Sequence, residues 1–254
     1  MLSKNQLKYV RQLEHKKYRR REGLFVAEGP KVVGDLLAAG FNAKHVFATE
    51  DWHHEGVTAQ VVSDEELCRL SFLQHPQQVL ALFTLPDTSC LEEQFKFNNN
   101  HVPNILQDET TCLALALDGV QDPGNLGTII RVADWFGIST IFCSEDTADA
   151  FSPKTVQATM GSIARVNIIY TNIVELLSSV DLPVYGTLLD GRNIYAEQLE
   201  RRGIIVMGNE GNGISAEVRR LVTNPLLIPS FHKGPESLNV AIATAITCSE
   251  FMRR

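Results

Sequence analysis

The chain has 254 residues, 44% hydrophobic and 21% charged, with a formal net charge of -7. That balance suits a globular protein of one large or two smaller domains with a full core. No run of about 18 apolar residues occurs, which excludes a helical membrane span. The first residues, MLSKNQLKYVRQ, lack the apolar stretch of a secretory signal, so a cytoplasmic protein is expected.

Taken alone, the negative charge argues against a nucleic-acid partner, but it is unevenly placed. Ser3 to Arg20 reads as one helix with a stripe of Leu7, Val10 and Leu13. Around it stand Lys4, Lys8, Arg11, Lys16, Lys17, Arg19, Arg20 and Arg21, opposed only by Glu14. This is a candidate phosphate-contacting patch, and the same pattern also fits a solvated helix face. Gly23 to Gly29 is a short strand ending in a turn, and Lys31 to Ala39 is a helix closed by Gly40. Ala43 to Ala48, Gln60 to Val62 and Val79 to Phe83 are further strands, with a helix opened by the Ser63/Glu66 capping box between the last two. Residues 1–86 therefore form a small α/β domain. Residues 87–111 are polar and asparagine-rich and read as a linker, although Leu91 to Phe97 could form an element of its own.

Residues 112–254 alternate strand and helix throughout. Strands are expected at Cys112 to Val120, Thr140 to Cys143, Val166 to Ile169, Val184 to Leu188, Ile204 to Met207 and Leu226 to Ile228. Helices are expected at Asn125 to Phe136, Ser152 to Met160, Ile173 to Leu177, Ala216 to Val222 and from about Leu238 to Phe251. The pattern predicts a parallel sheet covered by helices. The five cysteines, Cys68, Cys90, Cys112, Cys143 and Cys248, form no CxxC or Cys/His cluster, so neither a disulfide framework nor a metal site is expected.

Ligands of parallel sheets bind beyond the carboxyl ends of strands, which draws attention to Gly203 to Ala245. There Gly208, Gly211 and Gly213 follow a buried strand, and polar Asn209, Glu210, Ser237 and Asn239 flank it. Gly119 to Leu126 has the glycine spacing of a phosphate-binding loop but no Lys-Ser/Thr, and no GxGxxG occurs, so an ordinary nucleotide-phosphate site is excluded. Arg131 lies on an otherwise apolar helix, on the same face as Gly127. It is placed either to meet a carboxylate or phosphate, or to reach solvent or pair with Asp134.

Three segments, DPGNLGTIIRVADWFG, VMGNEGNGIS and IPSFHKGPESLNVAIATAI, occur in order and together resemble the three motifs of the SpoU (TrmH-like) branch of the SPOUT RNA methyltransferases. The resemblance covers roughly Leu115 to Ile246, and FVAEGPKVV gives Lys4 to Phe83 a weaker likeness to the ribosomal-protein-like substrate-binding domain that often precedes it. It implies an α/β SPOUT domain with a deep trefoil knot in about residues 185–254, a homodimer, and S-adenosylmethionine as methyl donor to a ribose 2′-hydroxyl in structured RNA. Ribosomal RNA is favoured over transfer RNA because a separate N-terminal domain is present; a non-catalytic ribosome-assembly protein is the other reading. By motif matching the catalytic residues are Asn125, Arg131, Glu210, Ser237 and Asn239, and the cofactor residues Leu188, Gly208, Asn209, Ile228 and Leu238. Arg165 also matches a family position, and is a candidate RNA contact or a surface arginine at a strand edge. The loop Ser230 to Glu236 departs from the family pattern by about one extra residue, and places Ser230 where a methionine is common. It also carries His232, a candidate base or a solvated histidine, and Lys233.

Overall fold

The computed structural model describes residues 2–87, 112–232 and 237–253. The first helix, α1 (Lys4–Gln12), opens with a capping box between Ser3 and Gln6. The sequence predicts one helix through Arg20, but the chain breaks at Leu13 and restarts as α2 (Lys16–Glu22). Arg19 supplies the physical reason. It is 3% exposed, and its guanidinium donates to the carbonyls of Leu13 and Glu14 at 2.7 and 2.6 Å, satisfying groups that the break removes from the helical ladder.

Then follow β1 (Leu24–Glu28), α3 (Pro30–Ala38), β2 (Ala43–Ala48), β3 (Gln60–Val61), α4 (Asp64–Leu70) and β4 (Val79–Thr84). The predicted Ser63/Glu66 capping box is present on α4. The sheet order is β1-β4-β2-β3, with β4 antiparallel to both neighbours and only β2 and β3 parallel. Val10, Leu13, Leu67 and Leu70 pack with Phe47, Leu80 and Leu82 in one buried cluster.

The second sheet comprises β5 (Cys112–Asp118), β6 (Thr140–Cys143), β7 (Asn167–Tyr170), β8 (Val184–Asn193), β9 (Arg202–Gly208) and β10 (Asn224–Leu227). Its order is β10-β8-β9-β5-β6-β7, and every pairing is parallel, as the alternation predicts. The helices are α5 (Pro123–Trp135), α6 (Pro153–Thr159), α7 (Ile173–Ser179), α8 (Ala216–Arg219) and α9 (Val240–Met252). Central β5 and β9 are buried on both faces, which is why their sequences show no alternation. Each fully buried Leu, Ile or Val among them contributes roughly 1.5–3 kcal/mol.

The strand predicted to end at Leu188 continues as β8 to Asn193, and its second half pairs with β10 across a register shift. Gly191 makes this possible: a Cβ there would lie 2.4 Å from the carbonyl carbon of Leu226.

The chain divides into two units, Met1–Asp87 with Asp149–Arg165, and Thr88–Ala148 with Val166–Arg254. The segment carrying α6 and the short 3-10 helix Ser162–Ala164, read from sequence with the second domain, thus belongs with the first. Three contacts fix it there. Arg19 pairs with Asp149 at 2.6 Å, the Phe151 and Phe25 rings lie 5.0 Å apart, and Lys31 Nζ donates to the Met160 carbonyl at 2.8 Å. Most of the expected linker, residues 88–111, lies outside the described residues.

Candidate active site

The site gathers at the carboxyl ends of β5 and β9. β5 ends at Asp118, and Gly119 turns the chain at φ 77° while its N–H donates to Ser144 Oγ at 2.8 Å. β9 ends at Gly208, followed by a loop closed by two hydrogen bonds of 2.9 Å between Asn209 and Gly213. Gly208 is demanded by this loop: a Cβ would stand 2.2 Å from Gly213 C and Ile214 N. Gly213 is demanded by conformation, at φ 69°.

Asn209 shapes the loop. Its Oδ1 accepts the N–H groups of Gly211 and Asn212 at 2.9 and 3.0 Å, and its Nδ2 donates to the Gly119 carbonyl at 2.7 Å. Asp118 fastens the far side by accepting the Ser215 N–H at 2.7 Å. The sequence reading missed Asp118; an acidic residue ending an otherwise apolar strand was the available signal.

Glu210 reaches across to the first motif. Its carboxylate accepts the N–H groups of Gln121 and Asp122, both at 3.2 Å, and Asn125 Nδ2 at 3.0 Å. Burial pushes the Glu210 pKa up, but the bonds from Asn125, its own backbone, Gln121 and Asp122 outweigh it and hold the carboxyl below its ordinary value. Asp122 caps α5 by accepting the Asn125 N–H at 2.9 Å.

The third motif joins the same line. Asn239 Nδ2 donates to Asn125 Oδ1 at 3.0 Å, and Asn239 Oδ1 accepts the N–H groups of Ala241 and Ile242 at 3.0 and 3.2 Å, capping α9. Three residues from three motifs, Glu210, Asn125 and Asn239, thus form one continuous hydrogen-bonded chain that sets α5 beside α9. Three donors converge on Glu210, and both polar atoms of the Asn125 amide are engaged.

Arg131 stands apart from that chain. It is exposed and, among the described residues, makes no side-chain hydrogen bond or ion pair. Gly127, four residues before it, is buried, whereas Thr128 and Trp135 share the outward stripe with Arg131. Pairing with Asp134 is not what Arg131 does.

Of the cofactor candidates, Gly208 is buried, Leu188, Asn209 and Ile228 are half-buried, and Leu238 is 49% exposed. Leu188 lies on β8, Gly208 ends β9 and Ile228 follows β10, three strands that adjoin in the sheet. This set offers backbone and apolar surface, with no cation for a phosphate, so it fits a nucleoside bearing a sulfonium better than a nucleotide. Ser237 is exposed, as is His232, which lies in a turn held by Ser230 Oγ. Residues 233–236 of that loop, Lys233 among them, lie outside the described residues.

The basic patch divides. Arg19 is buried and bound to Leu13, Glu14 and Asp149, so it is unavailable to RNA, a correction to the charge-based reading. Arg11 donates to the Ser71 carbonyl and lies 4.7 Å over the Phe72 ring. Arg21 pairs with Glu22 at 2.7 Å, and Arg165 approaches Asp35 at 3.7 Å. Lys16 is half-buried, whereas Lys4, Lys8, Lys17 and Arg20 are exposed.

Among the described residues no cluster of three or more His, Cys, Asp or Glu side chains could hold a metal ion, and no helix is long and apolar enough to cross a membrane. The Cys143 and Cys248 thiols are buried, and burial pushes the second up to about 12, which makes it a poor nucleophile at neutral pH.

Residues 112–249 match the SpoU rRNA methylase family model. The chain belongs to this family. Residues 4–81 match the MRM3-like substrate-binding domain, so both halves carry a family assignment. The chain is 31% identical over 255 residues to the 23S rRNA (guanosine(2553)-2′-O)-methyltransferase RlmP of Bacillus subtilis, covering 96% of this chain and 95% of that protein. Among solved structures, a TrmH-family protein from Porphyromonas gingivalis superposes with a TM-score of 0.82 at 41% identity, covering 100% of this chain and 99% of that one. An AdoMet-bound rRNA methyltransferase from Sinorhizobium meliloti superposes with a TM-score of 0.82 at 30% identity, covering 100% and 96%. SpoU family membership agrees with the expectation from the three motifs, and the six-stranded parallel sheet with that from the strand and helix alternation.

Proposed function

We propose that this chain is an S-adenosylmethionine-dependent methyltransferase that modifies a ribose 2′-hydroxyl in ribosomal RNA. The observation that carries the reading is the Glu210–Asn125–Asn239 chain, in which the three family motifs meet at the strand ends. Relatives that span nearly the whole chain, one modifying 23S rRNA and one solved with AdoMet, support the substrate and the donor.

Leu188, Gly208, Ile228 and Leu238 would hold the donor, with Asn209 fixing the loop around it. When bound, S-adenosylmethionine supplies an electrophilic methyl, so the protein's task is in-line positioning and exclusion of water. Arg131 faces the acceptor. We assign its guanidinium, left without a partner among the described residues, to the phosphate and ribose of the target nucleotide, where its charge favours the developing alkoxide. The proton leaves to a phosphate oxygen or to water. Asn125, Glu210 and Asn239 hold α5, and hence Arg131, in register with the cofactor loop. Ser237, exposed beside Leu238, completes the acceptor side.

We further propose a homodimer. Trp135 is 85% exposed and Ile242 50% exposed on adjacent helices whose N-termini are joined by the Asn125–Asn239 bond, and the outward face of α9 is uncharged. Such a face is apolar enough to seek a partner, and Arg131, one turn from Trp135, would then lie at the subunit boundary. The knot is part of the same proposal, supported by the tight passage of Gly191 past Leu226. A cytoplasmic location follows from the ribosomal substrate.

The test is incubation with methyl-labelled S-adenosylmethionine and RNA from cells lacking the protein. Label in ribosomal RNA is expected; absence of label from every RNA pool would favour a ribosome-assembly protein that keeps the fold without turnover.

A further inference from the structure

Beside β2 the first unit contains a cavity of about 480 Å³, open to solvent and lined among others by Phe41, Lys44, His45, Val57, Thr58 and Gln60. Its backbone wall is an unpaired strand edge. β3 pairs only with Phe47 and Ala48, so Ala43 to Val46, which also line the cavity, have no strand on their outer side among the described residues. Such an edge leaves peptide N–H and C=O groups free to bond.

The charge of the cavity points to one kind of occupant. None of its lining residues is acidic, although acidic residues outnumber basic ones, 30 to 23, in the whole chain. Lys44 and His45 are both exposed. The basic helix α1 is fastened to the same wall: Gln6 Nε2 donates to Gln60 Oε1 at 2.7 Å, and the edge of Tyr9 meets the His45 ring with centroids 6.5 Å apart. On α1, Lys4 and Lys8 are exposed and carry no ion pair among the described residues.

We propose that this cavity takes one unstacked nucleobase of the substrate RNA, with the phosphates beside that nucleotide on Lys44 and Lys8. The proposal rests on the RNA methyltransferase reading and deepens it. Base edges in single-stranded RNA are read by backbone groups and side chains together, and the flanking phosphates need cations. Phe41 and Val57 give the base an apolar wall, and the free edge of β2 gives its Watson–Crick face donors and acceptors. The cavity thereby selects which RNA segment is held, independently of the residues that transfer the methyl.

Two variants of the full chain test this: Lys44→Ala, at an exposed position, and Thr58→Trp, which fills the cavity. Methyl transfer from labelled S-adenosylmethionine to ribosomal RNA from cells lacking the protein should show KM for RNA raised about ten-fold in Thr58→Trp, as the loss of one stacked base would give. In Lys44→Ala it should be raised with a shallower salt dependence, as the loss of one phosphate contact would give, with kcat close to the parent value in both. In parallel, short random-sequence oligoribonucleotides carrying 5-iodouridine should photocrosslink to the peptide containing Phe41 to Gln60, and Thr58→Trp should abolish that adduct. An unchanged KM in Lys44→Ala alongside an active parent would overturn the proposal. So would crosslinks confined to other peptides, as expected if a protein strand rather than RNA adds to the β2 edge. A parent that crosslinks at this peptide yet methylates no RNA would sink the enzymatic reading and leave the cavity assignment standing.

Discussion

Arg19 and Arg131 are both helical arginines, yet their surroundings give them opposite work. Arg19 is 3% exposed, donates to two carbonyls and pairs with Asp149, and only its Nε lacks a partner. Arg131 is exposed and makes no side-chain bond among the described residues. One guanidinium has been consumed in building the first unit, joining the α1–α2 break to the segment that begins at Asp149. The other keeps its donors unengaged among the described residues, which is why we propose it for the acceptor RNA. The lesson is that a charge becomes a binding group only where packing has left its donors unused.

The largest effect that would break this contrast belongs to Arg131→Ala. Methyl transfer should fall by about 10²-fold or more, the loss typical of a group that stabilises developing charge, while stability stays within about 0.5 kcal/mol because the site is exposed. Transfer kinetics and urea unfolding of the one variant check both halves. Arg19→Ala should do the converse: removing one partner of a buried pair costs about 3–5 kcal/mol, so the unfolding midpoint should fall sharply even where residual folded protein still transfers methyl.

Glu210→Gln sharpens the contrast from the other side, since it touches the positioning chain and not the acceptor. Losing charge-assisted bonds from Asn125 and two backbone N–H groups should cost about 1.5–3 kcal/mol and lower kcat. The pH dependence has a definite sign. The folded-state pKa of Glu210 is depressed, so its contribution is complete above the ordinary carboxylate value and is lost as pH falls through the lower folded value. The stability gap between parent and variant should therefore close in acid. The smallest effect is expected for Arg20→Ala, a surface charge: RNA affinity should weaken slightly, with the slope against log salt reduced by about one. An unchanged slope would assign Arg20 to ordinary solvation.

These residues also mark where the sequence was informative. The six strands of the second sheet could be read because β5 and β9 are buried on both faces and show as unbroken apolar runs. Asn125, Glu210 and Asn239 could be read because their motifs recur in order; their mutual bonds could not, because contacts between residues 85 and 114 positions apart leave no periodic trace. Within the patch from Lys4 to Arg21, Arg19 misled because counting charges does not reveal burial, and it looks like its neighbours in a row of basic residues. Nor did Arg19's role in breaking the first helix show, because Leu7, Val10 and Leu13 keep a helical stripe up to the break. The transfer of Asp149–Arg165 to the first unit was invisible for a similar reason, as the strand and helix alternation runs through it without a change in composition.

The claim that this chain methylates ribose is tested most directly by alkaline hydrolysis of ribosomal RNA labelled by the purified chain with S-adenosylmethionine. A methylated 2′-oxygen cannot attack the neighbouring phosphate, so the label should be recovered in alkali-stable dinucleotides. Label released as mononucleotides, which would mean methylation on a base, would contradict the account.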